Sequence, residues 1–313
     1  MVIYIETPLD DELRSQLKLA CAEDECVFKS DLLTHEEQVS ALSRAEIIFG
    51  NPRPASLLLD LPELKWIQLY SAGFEYYREL SISATVTNMR DFFSEPCAET
   101  AIAGILSLYR GMDDFALLKQ EKKWVGQKIR PELNTLEKKS VLILGAGNIG
   151  KRIEKILSGF DCDVHFYART KADKVVTTIP EVEALIPTVD IIIACLPGTE
   201  ETKGFFNASM LGLMKSTAIF VNVGRGNLVA DELVLAKALI NNEIGGAVLD
   251  VTLEEPLPVD HPLWNCPNTI LSQHSAGGDA NESKGLLNFF LENLQRYKTQ
   301  QTLLNQVQLN KGY

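Results

Sequence analysis

Residues 140–150 read Ser-Val-Leu-Ile-Leu-Gly-Ala-Gly-Asn-Ile-Gly, and few stretches leave a chain less choice. An apolar run too short for a helix passes straight into three glycines spaced G-x-G-x-x-G. A helical pattern then continues to about residue 160. Strand, tight turn and helix in that order open a βαβ unit that binds a dinucleotide. Gly145 permits the turn, Gly147 lets backbone approach a pyrophosphate, and Gly150 lets the helix lie close on the strand. Amides at the helix start, at Asn148 and Ile149, would donate to the phosphates.

The rest of the chain fits such a unit. Short apolar or β-branched runs at 2–5, 45–49, 64–69, 84–88, 163–168, 190–196, 217–223, 246–251 and 269–272 read as strands. Helical patterns lie between many of them, at 9–22, 149–160 and 231–240. This alternation predicts parallel sheets covered on both faces, an α/β protein of doubly wound domains. One helical stretch, residues 97–122, is longer than an ordinary helix. It precedes the fresh strand-turn-helix unit, so a second domain is expected to start there. The terminal helix, 279–298, is expected to cross back to the first. The expected division is 1–96 plus 283–313, a discontinuous domain, and 97–282, the dinucleotide-binding one. Residues 303–309 read as a small returning strand.

With 313 residues the chain allows about two domains. Hydrophobic residues at 46% and charged residues at 23% exclude disorder as the main state. Thirty basic against 42 acidic side chains give 30 − 42 = −12, the wrong sign for a nucleic-acid partner. No apolar run reaches the length of a membrane span, and the first residues read as a strand rather than a signal peptide. The six cysteines show no CxxC spacing and no metal-ligand pattern, so free thiols in a reducing cytoplasm are expected.

The end of the strand after the glycine turn chooses the cofactor. An NAD site places a carboxylate there for the ribose hydroxyls. Here Ala168 stands in that position, followed by Arg169, Thr170 and Lys171, with Lys174 nearby. A 2′-phosphate needs cations and hydroxyl donors and is repelled by a carboxylate. NADP(H) is therefore the expected cofactor. The other reading is that Arg169 only stacks on adenine and NAD(H) binds as well.

Three further segments sit at the carboxyl ends of expected parallel strands, where open α/β sheets bind ligands. They are Asn222-Val223-Gly224-Arg225-Gly226, Asp250-Val251-Thr252-Leu253-Glu254-Glu255-Pro256, and Gln273-His274-Ser275-Ala276-Gly277-Gly278. Together with the glycine turn, Cys97-Ala98-Glu99 and Leu196-Pro197 before a Thr-x-x-Thr stretch, they resemble the D-isomer-specific 2-hydroxyacid dehydrogenases. The resemblance covers nearly the whole chain and is nearest the glyoxylate/hydroxypyruvate reductase branch.

The resemblance implies a flavodoxin-like substrate domain, a Rossmann dinucleotide domain and reduction of a small 2-oxo acid. It implies a set of roles, and elementary chemistry agrees with them. Hydride delivery to a carbonyl carbon needs a proton for the oxygen, which a histidine can give. His274 takes that role. Glu255 is its partner, because a carboxylate favours the imidazolium; only the spacing to Pro256 prefers it to Glu254. Arg225 would grip the substrate carboxylate and polarise the carbonyl. Asp250 resembles the residue that fixes the nicotinamide carboxamide, and Leu196, Pro197 and Val223 line the cofactor. Ser71, Ala72 and Gly73 resemble the loop whose amides hold the substrate carboxylate. The long helix through Trp124 resembles a homodimer surface. His35, His165 and His261 read as structural.

Several positions depart from the family pattern. Gln273 replaces a common proline, Thr252-Leu253 replaces an aromatic, and Phe74-Glu75-Tyr76-Tyr77 lacks the usual Val-Asp. A dinucleotide-sensing, corepressor-like binding protein on the same fold is the alternative from a different class.

Overall fold

Strands of two to five residues carry the chain's apolar runs, and each pairs in a parallel sheet in a computed structural model that describes residues 1–311. The chain divides into two compact units, Met1–Phe93 with the stretch from Asp279 on, and Ser94–Gly278.

In the first unit, β1 (Val2–Ile5), β2 (Glu25–Phe28), β3 (Ile47–Phe49), β4 (Trp66–Gln68) and β5 (Thr85–Thr87) pair in the order β2-β1-β3-β4-β5. This is the flavodoxin-like order. Helix α1 (Asp11–Ala20) is started by the Asp10 side chain, which accepts from the Leu13 amide. Helix α2 (His35–Ser43) starts with a capping box of Thr34 and Glu37. The chain's last helix, Glu282–Lys298, packs on this sheet, and its Phe290 stacks on Phe49 with ring centroids 4.3 Å apart. Beyond it the expected returning strand is reduced to one antiparallel bridge, Thr87 with Gln306, flanked by hydrogen bonds at Val86 and Asn88.

The second unit opens with α3 (Ser94–Arg110) and α4 (Met112–Gln120). The single long helix expected over 97–122 is thus two. Gly111, at φ +60°, takes a left-handed conformation that ends the first helix and starts the second. Helix α3 also starts earlier than Cys97, because Ser94-Glu95-Pro96 forms its first turn, a place proline tolerates. The unit boundaries accordingly fall slightly ahead of residues 97 and 283.

Next come β6 (Ser140–Leu144), α5 (Asn148–Leu157), β7 (Asp163–Tyr167), β8 (Val175–Val176), α6 (Ile179–Leu185), β9 (Ile191–Ala194), α7 (Ala208–Gly212), β10 (Ile219–Asn222), α8 (Glu232–Ile240), β11 (Gly246–Leu249) and β12 (Thr269–Leu271). The sheet order is β12-β11-β10-β9-β6-β7-β8, all parallel. Strand order reverses between β6 and β9, the switch point at which such sheets bind dinucleotides. Both faces are covered, so the central strands β9, β10 and β11 are buried throughout. Strands β2 and β8 had no clear signature in the sequence; each is an edge strand, half exposed and short.

Candidate active site

The glycine turn lies at the end of β6. Gly145 has φ +118°, a conformation that side chains avoid. A Cβ on Gly150 would lie 2.2 Å from the Gly145 carbonyl oxygen, so only glycine lets α5 start this close to the strand. Beside Gly147 a Cβ would meet nothing within 4 Å. That space lies at the start of α5, where Asn148, Ile149 and Gly150 carry the first-turn amides. Open space and the positive end of a helix dipole coincide there, the two features a pyrophosphate needs. Leu196 and Pro197 follow β9 across the switch point, and Val223 donates its amide to Ala194 at 3.0 Å. Cys195, which the sequence reading left without a role, sits under the turn with its thiol 3.2 Å from the Gly145 carbonyl. Burial pushes that thiol up to about 12. All six cysteines are free.

Arg169, Thr170 and Lys171 leave the end of β7, and all three are exposed. Lys171 pairs with Glu181 at 2.9 Å, and Lys174 with Asp163 at 2.6 Å. The basic tract is therefore partly matched by local carboxylates, which the sequence reading did not anticipate.

The other end of the sheet carries the loops of Arg225, Glu255 and His274. Asn222 closes the turn after β10, accepting from the Gly224 amide at 3.1 Å and donating to the Arg225 carbonyl at 3.0 Å. Arg225 is half-buried, and one guanidinium nitrogen donates to the Gly224 carbonyl at 2.8 Å. Its stem lies on Gly198, where a Cβ would come within 3.0 Å of Arg225 Cγ. A Cβ on Gly226 would lie 1.9 Å from the Thr252 carbonyl oxygen. The loops carrying Arg225 and Glu255 are thus pressed together.

Asp250 is 5% exposed and ties the third loop in. Its Oδ1 accepts from Ser272 Oγ at 2.8 Å and from the Ser275 and Ala276 amides at 2.9 Å each. The His274 amide donates to the Asp250 carbonyl at 2.5 Å. Gln273 and His274 both take left-handed conformations, φ +57° and +55°, each a strained choice held by these bonds. Proline is locked near φ −65°, so the glutamine at 273 matches the turn that this chain makes.

That turn aims His274 at Glu255. Nδ1 and Oε2 are 2.6 Å apart, while the other carboxylate oxygen, Oε1, accepts from the Thr252 amide at 3.0 Å. Glu254 contributes only its backbone carbonyl, to Thr252 Oγ1. Of the two candidate glutamates, Glu255 is the one in contact with the histidine. The imidazole is 56% exposed and the carboxylate 35%, so the pair faces open space with Nε2 uncommitted to Glu255. A cavity of about 470 Å³ borders the pair, with Leu249, Leu257, Trp264 and Leu271 as its apolar wall.

Behind the Glu255 loop lies a group missed in the sequence. Glu232, the first residue of α8, accepts from the Leu253 amide at 2.7 Å and stands 4.0 Å from His261. Burial raises its carboxyl above the usual range. Asp231-Glu232 signals only a helix start, and nothing in the sequence names an amide 21 residues away as its partner. Of the remaining histidines, His261 caps a short 3-10 turn and His165 meets Asp163.

Ser71, Ala72 and Gly73 belong to the first unit, after β4. Asn51 Nδ2 donates to Ser71 Oγ at 2.9 Å, and Asn88 Nδ2 to the Ala72 carbonyl at 2.5 Å. These bonds hold the loop by its side chains and carbonyls.

A dinucleotide turn at a Rossmann switch point, with a histidine–carboxylate pair and an arginine on the same sheet edge, defines a nicotinamide-dependent oxidoreductase. The chain belongs to the D-isomer specific 2-hydroxyacid dehydrogenase family: the family's NAD-binding domain matches residues 102–276. It is 31% identical over 290 residues to the glyoxylate/hydroxypyruvate reductase A HPR2 of Arabidopsis thaliana, covering 89% of each chain. Among solved structures, a D-isomer specific 2-hydroxyacid dehydrogenase family protein from Aeromonas salmonicida matches with a TM-score of 0.84 at 26% identity, over 98% of both chains. A D-isomer specific 2-hydroxyacid dehydrogenase from Xanthobacter autotrophicus, in complex with NADPH and MES, matches with a TM-score of 0.80 at 25% identity, over 100% of this chain and 99% of that one. The protein is thus an oxidoreductase of this family, with a nicotinamide-dinucleotide-binding domain.

Proposed function

We propose that the protein reduces a small 2-oxo acid, glyoxylate or hydroxypyruvate in type, to the D-2-hydroxy acid, with NADP(H) preferred and NAD(H) accepted. The observation that carries this reading is the 2.6 Å contact between His274 Nδ1 and Glu255 Oε2 at the mouth of the sheet edge that also carries Arg225. When bound, the nicotinamide supplies the hydride. His274 holds the proton that the carbonyl oxygen receives as the carbon is reduced, presenting it from Nε2 while Glu255 stabilises the imidazolium through Nδ1. Arg225, always charged, binds the substrate carboxylate and draws electron density toward the carbonyl oxygen. By resemblance to the family, Ser71, Ala72 and Gly73 are the substrate-binding residues of the first unit.

For the cofactor, Gly145, Gly147, Asn148, Ile149 and Gly150 take the pyrophosphate, and Leu196, Pro197 and Val223 line the dinucleotide. Arg169, Thr170 and Lys171 take the 2′-phosphate. Asp250 has one carboxylate oxygen occupied by the 272–276 loop, so a contact with the nicotinamide carboxamide falls to its other oxygen. The corepressor-like alternative predicts dinucleotide binding without turnover in the assay below. A homodimer through the α3–α4 face fits the 96% exposed Trp124 beside exposed Met112 and Leu117. Free thiols and the absence, among the described residues, of a helix long and apolar enough to cross a membrane are compatible with a cytoplasmic enzyme.

A steady-state panel of 2-oxo acids, each with NADPH and with NADH and with chiral analysis of the product, tests the reading. Turnover of glyoxylate and hydroxypyruvate, with D-glycerate from the latter, is expected. No turnover with any 2-oxo acid, or an L product, contradicts it.

A further inference from the structure

The tract Arg169-Thr170-Lys171 meets an acid from a later element. Lys171 Nζ lies 2.9 Å from Glu181 Oε1. The other oxygen of Glu181 accepts from the Thr177 amide at 2.8 Å, the Thr178 amide at 3.0 Å and Thr178 Oγ1 at 3.1 Å. This is the capping box that starts α6, so the carboxylate is fixed in place whether or not a lysine reaches it. The same donors and Lys171 hold its carboxyl down at about 2, and it stays an anion at any pH at which the enzyme can be assayed.

We propose that Glu181 sets cofactor selectivity by occupying the ammonium of Lys171, which tempers the preference for a 2′-phosphate and leaves NADH usable. The inference rests on the cofactor reading given above. The physics is competitive. A 2′-phosphate brings close to two negative charges to this strand end, whereas a ribose 2′-hydroxyl brings none. A fixed carboxylate beside the tract competes with the phosphate for Lys171, and it has no such effect on a hydroxyl. NADPH binding is therefore tempered and NADH binding is left alone. An acid directly at the strand end would exclude the phosphate by repulsion. One turn into a later helix, a carboxylate weakens the preference without reversing it.

The test is Glu181→Gln in the full-length protein, with kcat/KM and dissociation constants measured for NADPH and NADH. Glutamine keeps the capping acceptor and removes the charge. The NADPH-to-NADH ratio is expected to rise about threefold to fivefold, the scale of an exposed ion pair. The gain should shrink as salt is added. Adding Lys171→Met to that variant should abolish the gain. If Glu181→Gln does not fold, Glu181→Asp, which keeps the charge but withdraws it by one methylene, should give a smaller rise of the same sign. An unchanged or lowered ratio, or a gain that survives removal of the lysine, overturns the proposal. Failure of every 2-oxo acid to turn over would defeat the function reading instead, and the ratio of the two dissociation constants would still decide the role of Glu181.

Discussion

The two ends of the second unit's sheet solve the same problem in different ways. At β10–β12, side chains are placed by a network: Asn222 and Thr252 brace their own loops, Asp250 ties its loop to residues 272–276, and His274 meets Glu255 at 2.6 Å. At β6–β8, backbone is placed by absences. Gly145 and Gly150 work because they have no Cβ, and the side chains that follow at Arg169, Thr170 and Lys171 stand exposed. The lesson is that acid–base chemistry needs atoms fixed to a fraction of an ångström, whereas a pyrophosphate needs amides and room. The tract proposed to read a 2′-phosphate, built of long charged side chains at the surface, is the least constrained element of all.

This contrast orders the expected effects of mutation. At the networked end, Glu255→Gln should lower kcat about tenfold or more, because the amide gives the imidazolium no counter-charge. An unchanged kcat would take the carboxylate out of the mechanism. At the open end, Arg169→Ala should raise KM for NADPH about fivefold to tenfold relative to NADH, with kcat little altered at saturation. Equal effects on the two cofactors would leave the guanidinium on adenine rather than on phosphate.

The smallest effect concerns Glu232. Its carboxyl is raised by burial, so the folded state prefers it protonated. Below the carboxyl's unfolded range both states are protonated and folding is not affected. As pH rises from there through the raised folded value, ionisation in the buried site subtracts stability. Glu232→Gln keeps an acceptor for the Leu253 amide and should gain melting temperature over wild type by a few degrees near neutrality. The gain should shrink toward pH 4. A variant less stable than wild type at neutral pH would mean that the 4.0 Å contact with His261 outweighs burial.

Much of this was legible in the residues before any coordinates. The glycine spacing after Ser140–Leu144 required one backbone geometry, and the structure has it because no other residue fits 2.2 Å from a carbonyl oxygen. The strand ends that carry Arg225, Glu255 and His274 followed from apolar runs buried on both faces. What escaped were features decided by partners far apart in sequence. Glu181 pairs with Lys171 across a turn and a strand; Glu232 binds an amide on another loop. Helix α3 stopping at Arg110 depends on Gly111 adopting a left-handed turn, which a glycine inside an apolar pattern allows but does not announce. Edge strands β2 and β8 are too short and too exposed to leave a pattern of two.

The central claim is that His274, charged and held by Glu255, delivers the proton. It is tested most directly by single-turnover oxidation of bound NADPH by glyoxylate in wild type and His274→Ala. The account predicts a rate at least about a hundredfold lower in the variant, with NADPH affinity unchanged. A near-wild-type rate at saturating cofactor and substrate would contradict it.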